Sequence, residues 1–339
     1  MQVFFIGANM SALFSAVSIA MSHLEITVIG AGVIGLHTAR QLQDAGHHVT
    51  IISKDSLDQT TSNAAAAFWM PYKVEPEALM LAWAKDSLPI FKALAQDPDS
   101  GVVWRPHTEY FQQPVTRPAW MNLLPPCESN NLLTTQEWPY YQSAYLPQID
   151  TPKHIQFLAK RFIEHGGKLQ CGVEVTDLNT IESTLLVNCT GIGAATLVTD
   201  TNLCAYQGQV TRVTQPTPNI TESALFVDGD DALVIVPHQD HVAIGVTVRP
   251  DNLSSDFDAV AEQHYLAQAY QCYPQLQHSS VLARYVGHRP VRPKGVRLEA
   301  KTLASGKTVI HHYGHGGGGV TLAPGCALAV RRLVDTLSL

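Results

Sequence analysis

The chain has 339 residues, of which 45% are hydrophobic and 15% charged, and this composition is enough to build a large core in two lobes. Its formal net charge of -7, with basic residues scattered along the chain, excludes a broad basic surface for nucleic acid. The six cysteines form no Cys-x-x-Cys pair and no zinc-binding spacing, so we expect reduced thiols and a cytoplasmic protein.

The first segment, residues 1–23, is an extension whose status the sequence leaves open. Residues 1–20 are apolar and barely long enough to span a bilayer, but they lack the Lys or Arg with which secretory signals begin. A signal or anchor is therefore not excluded, and the alternative is that Met21 is the working start. The rest of the chain contains no apolar run of membrane length, and no membrane association is expected.

A strand–helix–strand unit opens the folded part of the chain. Residues 24–30 read as a short buried strand, residues 32–45 have helical periodicity, and residues 48–53 read as a second strand. Gly46 is placed to cap the helix at its C-terminal end. The unit has the length of a nucleotide-binding βαβ motif.

A Gly-x-Gly-x-x-Gly motif joins this strand to this helix. Gly30 makes the turn, Gly32 lets backbone N–H groups approach a pyrophosphate, and Gly35 packs the helix on the strand. Val33 and Ile34 lie at the helix N-terminus, whose partial positive charge favours phosphate. The motif predicts dinucleotide binding, although by itself it does not distinguish FAD from NAD.

The end of the second strand is the usual position of an acid that binds the adenosine ribose. Here it reads Ser53-Lys54-Asp55. Asp55 is a candidate for that role and Ser53 a weaker one, while a solvated turn carries equal weight.

The remaining elements alternate between two types of structure. Residues 76–150 are rich in Trp, Pro and Tyr and look like an insertion that does not continue the βαβ rhythm. A helix near residue 154, strands near 169 and 185, a strand at 308–312 and a helix at 322–337 resume it. Between them, segments at 209–213, 225–228, 233–237 and 241–248 alternate like antiparallel strands with a turn at Asp228-Gly229, and residues 261–272 read as a helix.

Five segments in order along the chain then carry a specific resemblance. They are the glycine motif, Thr60-Thr61-Ser62-Asn63 continuing to Phe68-Trp69-Met70-Pro71-Tyr72, Val187-Asn188-Cys189-Thr190-Gly191 with Gly208-Gln209, Gly287-His288-Arg289-Pro290-Val291-Arg292-Pro293, and residues 311–321. Together they resemble the D-amino acid oxidase and D-aspartate oxidase family, and they span residues 24 to about 335.

The resemblance implies an α/β protein with FAD as cofactor. We expect a Rossmann-like FAD-binding domain, discontinuous in sequence (24–75, 154–205 and 285–339), and a substrate domain on a largely antiparallel sheet (76–153 and 206–284). The residues expected to bind the cofactor are Gly30, Gly32, Val33, Ile34, Gly35, Ser53, Lys54, Asp55, Thr60, Thr61, Ser62, Ala67, Phe68, Met70, Val175, Thr190, Gly191, Arg289, Gly314, Gly316, Gly317, Gly318, Gly319, Val320 and Thr321.

Arg289, Tyr313 and Gly317 are the expected catalytic residues. A planar guanidinium holds an α-carboxylate through two charge-assisted hydrogen bonds, which suits Arg289, whereas Arg292 is expected to make a structural ion pair. The pocket tyrosines typical of the family are missing, because residues 216–234 contain none and Val234 stands where a phenol is expected. Tyr313, His288 and His238 are unranked substitutes, and His311, His312 and His315 have no spacing that indicates a metal, so none is expected.

The implied activity is hydride transfer from a D-amino acid to flavin N5, giving a 2-oxo acid, ammonia and hydrogen peroxide with O2 as acceptor. If the acids Glu222, Asp228, Asp230 and Asp231 face the entrance, they favour neutral or basic substrates over D-aspartate, and the alternative is that they form a solvated hairpin tip. Alternatives are a glycine/sarcosine-type or pathway-tailoring flavin oxidase, and a nucleotide-binding protein without turnover. A homodimer is left open, and no nucleic-acid partner is expected.

Overall fold

The computed structural model describes residues 23–129, 132–228, 231–245 and 247–337. The sequence expectations for residues 1–22 and for the turn residue Gly229 fall outside this part of the chain. The described residues form two sheets with helices packed against them, so the predicted mixed α/β architecture is confirmed.

The helices and strands have the following bounds. The helices are α1 (Val33–Asp44), α2 (Glu77–Leu94), α3 (Thr151–Glu164), α4 (Ala194–Leu197), α5 (Ala259–Cys272) and α6 (Gly319–Asp335). The strands are β1 (Glu25–Ile29), β2 (His48–Ser53), β3 (Ala67–Phe68), β4 (Val102–Phe111), β5 (Tyr140–Ile149), β6 (Lys168–Cys171), β7 (Leu185–Asn188), β8 (Cys204–Thr214), β9 (Ser223–Asp228), β10 (Asp231–Pro237), β11 (His241–Gly245), β12 (Val281–Val291), β13 (Arg297–Thr302) and β14 (Thr308–Tyr313).

The first sheet has the order β13-β14-β7-β1-β2-β6. Its strands run parallel except β13, which pairs antiparallel with β14 at the edge. The central strand β1 is buried along nearly its whole length because helices cover the sheet, and Ile26 and Val28 pack with Leu36 of α1, Leu158 of α3 and Val330 of α6. In a parallel sheet of this kind the C-terminal strand ends form the ligand-binding edge.

The second sheet has the order β12-β8-β11-β10-β9-β4-β5-β3. Its pairs are antiparallel except for β4 and β9, which run parallel. Helix α2 closes one end of its core with Trp83 and Phe91, which belong to the same buried cluster as Leu146 and Val236. Side chains alternate across this sheet, so every second residue of a strand lies on the face that carries the cavity described below.

Three observations refine the sequence analysis. The strand β12 runs through the expected domain boundary at residue 285 and pairs with β8 in the second sheet, while the division into domains itself stays a prediction. Helix α6 begins at Gly319, three residues before the expected start. Within the described residues, no helix combines the length and the apolar character needed to cross a bilayer.

Candidate active site

A cavity of about 940 Å3 is lined by residues of both sheets. From the first sheet it receives the C-terminal ends of β1, β2 and β7, together with the beginnings of α1 and α6. The second sheet contributes one face of β8, β9, β10, β4 and β12. Five segments that are far apart in sequence therefore meet in one space large enough for a dinucleotide and a small substrate.

The glycine motif forms a cradle that larger residues would fill. Gly30 has φ +108, and a Cβ added there would lie 2.6 Å from the carbonyl oxygen of Cys189. A Cβ on Gly35 would lie 1.9 Å from the oxygen of Gly30, so Gly35 is needed for packing rather than for ligand contact. Helix α1 begins beside Gly32, and the N–H of Val33 donates to the Ser62 hydroxyl at 3.0 Å.

Most of the residues expected to bind the cofactor line this cavity. Those that do are Gly30, Gly32, Val33, Ile34, Ser53, Lys54, Asp55, Thr60, Thr61, Ser62, Ala67, Phe68, Met70, Val175, Thr190, Gly191, Arg289, Gly316, Gly317, Gly319, Val320 and Thr321. Among the expected residues, Gly35, Gly314 and Gly318 are not part of the lining. Gly314 packs on Arg292, and Gly318 packs on Val74 at the start of α6, so these two have structural reasons to be glycine.

The end of β2 has a polar arrangement of its own. The Ser53 hydroxyl donates to the backbone oxygen of Asp55 at 2.9 Å, which shapes the turn after the strand. Lys54 pairs with Glu174 at 2.9 Å, and both are exposed at the cavity edge with Asp55 and Val175. Whether Asp55 or Ser53 binds a ribose is not decided by this geometry and stays a prediction.

The segments around Met70 and Thr321 are tied to each other. The N–H of Met70 donates to the Thr321 hydroxyl at 2.9 Å, and that hydroxyl donates to the Met70 oxygen at 3.0 Å. The N–H of Gly317 donates to the Tyr72 oxygen at 3.0 Å. Gly316 has φ +52, and a Cβ there would lie 2.1 Å from the Lys73 oxygen. The C-terminal glycine loop is thus positioned by the 70–73 turn.

Arg289 projects into the cavity without a carboxylate partner among the described residues. Its Nη1 donates to the backbone oxygens of Thr247 at 3.3 Å and Tyr206 at 3.5 Å, which leaves most of its donors for a ligand. Burial lowers its pKa from the usual value and the nearby Tyr72 opposes that shift, but an arginine stays charged at neutral pH. Arg292, in contrast, makes the expected structural pair with the buried Asp200 at 3.0 Å.

Tyr313 lines the cavity, but its hydroxyl already has two protein partners. It is 1% exposed, its hydroxyl donates to Asp200 at 2.9 Å, and the hydroxyl accepts from Arg297 at 2.7 Å. The role of Tyr313 as a catalytic residue stays a prediction, and the two partners of its hydroxyl do not favour it as a ligand of the substrate carboxylate. Of the other two candidates, His288 lines the cavity with Nε2 2.9 Å from the Ser254 oxygen, whereas His238 packs against the ring of His241 away from it.

Several residues of the cavity lining were not among those expected to bind the cofactor or the substrate. Tyr72 lines it close to Arg289, and it could have been found because it ends the Phe68–Tyr72 segment of the resemblance. Gly208 lies directly under the Arg289 guanidinium. Glu109 and Phe111 of β4 also line the cavity, and no motif marks them. The acid Glu222 is not part of the cavity lining, and it accepts a hydrogen bond from Ser129 at 2.6 Å. The side chains of Asp228, Asp230 and Asp231 lie outside the described part of the chain.

The buried histidines of the C-terminal loop are neutral. Burial lowers the pKa of His315 to about 3 and the pKa of His312 well below its usual value. His312, His315 and Cys326 bring one ligand atom each within 4.8 Å of one another, but burial raises the pKa of the Cys326 thiol well above its usual value. A thiol that keeps its proton is a poor ligand, and the expectation of no metal stays a prediction.

The sequence matches the family model described as FAD dependent oxidoreductase over residues 25–333. The chain belongs to the D-amino acid oxidase family of FAD-dependent oxidoreductases. It is 34% identical over 318 residues to a D-amino-acid oxidase of Streptomyces coelicolor, with 92% of this chain and 97% of the relative covered. It is also 30% identical to the D-aspartate oxidase of Homo sapiens over 332 residues, covering 93% and 96%.

Solved structures show the same fold at lower identity. Glycine oxidase from Geobacillus kaustophilus aligns with a TM-score of 0.74 and 18% identity, covering 93% of this chain and 96% of the other. L-proline dehydrogenase from P. horikoshii aligns with a TM-score of 0.73 and 15% identity, covering 92% and 93%.

FAD is therefore the cofactor of this D-amino acid oxidase family member, and the cavity fits it. The fit rests on the glycine cradle at Gly30 and Gly32, on the helix N-terminus at Val33, and on the second helix N-terminus at Gly319.

Proposed function

We propose that this protein oxidises the α-carbon of D-amino acids with neutral or basic side chains, giving a 2-oxo acid, ammonia and hydrogen peroxide. The observation that carries the proposal is Arg289, a cavity guanidinium that has no carboxylate partner among the described residues. A guanidinium in that position binds an α-carboxylate through two parallel hydrogen bonds and fixes which hydrogen of the α-carbon faces the cofactor. The Streptomyces coelicolor relative named D-amino-acid oxidase supports the same class of substrate.

When bound in this cavity, FAD would supply the two-electron redox chemistry that amino acid oxidation with O2 as acceptor requires. The protein binds the substrate and orients it towards the cofactor. Arg289 holds the substrate carboxylate, and Tyr72 lies beside the guanidinium. His312 and His315 are neutral, so they add no second positive charge to this part of the site. Helix α6 begins at Gly319 in the cavity wall, so its dipole favours negative charge developing on a reduced cofactor.

No side-chain base is needed for this reaction. The substrate amine reacts in its neutral form, and the imino acid that leaves is hydrolysed by water. We assign Gly317 a steric role, because a Cβ there would lie 2.5 Å from Cδ1 of the Tyr72 ring.

We also propose a cytoplasmic location, supported by six free thiols, and we leave the homodimer as a proposal.

D-Aspartate is a less suitable substrate even though a D-aspartate oxidase is among the relatives. An acidic side chain needs a second cation in addition to Arg289. Among the described lining residues, the other Lys or Arg is Lys54, which lies at the nucleotide end and pairs with Glu174. A glycine/sarcosine-type oxidase stays the second candidate, since Val234 lines the cavity where a phenol was expected.

The test is anaerobic bleaching of the holoenzyme by a panel of D- and L-amino acids, glycine and sarcosine. We expect rapid bleaching by D-amino acids and none by their L-enantiomers. Arg289→Ala should retain FAD and lower kcat/KM by about 100-fold or more, mainly through KM, because losing a buried charge-assisted contact costs about 3 kcal/mol. Kinetics unchanged by Arg289→Ala, or bleaching by glycine and sarcosine alone, would contradict the proposal.

A further inference from the structure

A buried carboxylate faces the cavity at a distance from Arg289. Glu109 lies on β4, where its register partners are Gln142 of β5 and Leu225 of β9. Its side chain lines the cavity and is only 4% exposed. The acids that the sequence analysis considered belong to residues 222–231, so the Glu109 carboxylate is a separate group on a different strand.

The Glu109 carboxylate is only partly satisfied by the protein. Gln142 Nε2 donates to Oε2 at 3.1 Å, and this amide is neutral. His107 Nε2 lies 3.8 Å from Oε1, too far for a hydrogen bond, and it makes none with any other described group. Among the described residues, no Lys or Arg pairs with Glu109. A carboxylate removed from water in this way gains most from a cationic partner with hydrogen-bond donors.

The path from Arg289 to Glu109 crosses most of the second sheet. Arg289 is on β12 and Glu109 on β4, with β8, β11, β10 and β9 between them. Five inter-strand steps of about 4.8 Å give roughly 24 Å across a flat sheet, and the register places Glu109 in line with Tyr285, four residues or about 13 Å along β12 from Arg289. The twist of a real sheet and the long side chain of Arg289 shorten the distance between the two charged groups, and a long substrate spans more of it than one of alanine size.

The wall between the two charged groups is apolar. Leu225 and Val227 of β9 and Val234 of β10 line the cavity on the same face, and Phe111 follows Glu109 on β4. The methylene stem of a long basic side chain packs well on such a surface while its charged end continues to a polar partner. An apolar wall with a carboxylate at its end is the arrangement that a basic amino acid requires.

We propose that Glu109 is a specificity-determining residue that binds the terminal ammonium or guanidinium of a long basic D-amino acid, such as D-lysine or D-arginine. This inference rests on the proposed function, since it assumes that Arg289 holds the α-carboxylate. Arg289 and Glu109 then bind the two ends of one zwitterionic substrate, and Gln142 orients the carboxylate through its amide.

The experiment compares D-arginine with D-citrulline, which has almost the same shape but an uncharged end. Wild-type holoenzyme should have a kcat/KM for D-arginine at least tenfold above that for D-citrulline. In Glu109→Gln the ratio should fall to about one, whereas Glu109→Asp should retain a preference for the cation. Glu164→Gln, which removes the same charge from an exposed position on α3, should leave the ratio unchanged. Along the series D-2,4-diaminobutyrate, D-ornithine and D-lysine, kcat/KM should rise with length.

Several outcomes overturn the proposal. A wild-type enzyme that prefers D-citrulline refutes it without any variant, so the test does not depend on the folding of Glu109→Gln. An unchanged ratio in Glu109→Gln would also overturn it, because the carboxylate would then make no contact with the charged end of the substrate. If D-citrulline bleaches the flavin but D-arginine has no advantage, only this inference fails. If no D-amino acid bleaches it, the proposed function fails as well.

Discussion

At the scale of single residues, the position of Arg289 depends on a glycine in the neighbouring strand. Gly208 of β8 pairs with Gly287 of β12, two residues before Arg289. A Cβ on Gly208 would lie 2.4 Å from Nη1, 2.5 Å from Nη2 and 2.7 Å from Cζ of the guanidinium. The side chain of Arg289 therefore lies flat over a strand that has no side chain at that point, and this contact determines where its donors face the cavity.

Gly208→Ala should displace the guanidinium without removing it. We expect FAD to stay bound and the KM for D-amino acids to rise about tenfold or more, because a misplaced bidentate contact loses one of its hydrogen bonds. Steady-state kinetics with flavin absorbance as a check on cofactor content measure this. Gly193→Ala is the matched control, since its Cβ would meet Thr190 at an ordinary 3.5 Å. An unchanged KM in Gly208→Ala would show that the Arg289 guanidinium can adopt another conformation that still binds the substrate carboxylate.

The glycines of the first motif were predictable because their spacing is one that pyrophosphate binding requires, and Arg289 was predictable because its segment resembles the carboxylate-binding strand of the family. Glu109 was not, because a single acid in an alternating strand reads the same whether its face meets solvent or a cavity. For Tyr313 the sequence predicts a place in the site but not the partner of its hydroxyl. The sequence contains no sign that Asp200, distant along the chain, takes its hydroxyl.

At the scale of elements, helices α1 and α3 meet through two buried histidines. His37 Nε2 lies 3.2 Å from His154 Nε2, and His154 Nδ1 lies 2.8 Å from the Ser100 oxygen. Since a carbonyl only accepts, His154 carries its proton on Nδ1, and the neutral pair then requires His37 to donate from Nε2. Protonating His154 would put two N–H groups against each other, and protonating His37 would leave a buried positive charge without a carboxylate partner among its described contacts.

This contact should make folding sensitive to acid. Burial lowers the pKa of His154 to about 4 and the pKa of His37 well below its usual value, so the unfolded chain binds these protons first. The stabilisation is complete above about pH 6.5 and is lost as the pH falls towards 4. Each histidine contributes a slope of up to about 1.4 kcal/mol per pH unit in the free energy of unfolding across that window.

Urea unfolding at several pH values between 4.5 and 7.5 measures that slope. His37→Gln, whose amide still donates to His154, should show a shallower dependence on pH than the wild type. The comparison is between slopes, since other buried histidines contribute to both proteins equally. Identical slopes in the two proteins would show that His37 is not the group that resists protonation.

The βαβ unit was predictable because helical and strand periods change at glycines, but residues 76–150 were not. This region contains the 18-residue helix α2 with Pro89 inside it, and two ten-residue strands with Pro106 in β4 and Pro147 in β5. Proline argues against a helix interior or a central strand when only the sequence is known. Tertiary packing overrides that signal here, since Trp83, Phe91 and Leu146 are buried in one cluster.

At the scale of the whole molecule, the cavity is the place where both sheets meet, and the chain passes between them repeatedly. The sequence predicted two lobes from the order of its elements, but only the pairing of β12 with β8 shows that the Arg289 strand completes the second sheet. FAD that contacts both walls binds the folded protein and not the unfolded chain. Its binding should therefore stabilise the two sheets together.

Thermal unfolding of FAD-free protein with added FAD tests this coupling. Above the dissociation constant, each tenfold increase in FAD should raise the free energy of unfolding by about 1.4 kcal/mol. The five tryptophans, Trp69, Trp83, Trp104, Trp120 and Trp138, lie in β3 to β5, α2 and their connections, so their fluorescence reports on the second sheet. Circular dichroism at 222 nm reports mainly on the helices, most of which pack on the first. Both transitions should shift equally with FAD. AMP, which occupies only the nucleotide end of the cavity, should shift both transitions less. A tryptophan transition whose temperature does not change with FAD would mean that the second sheet takes no part in binding.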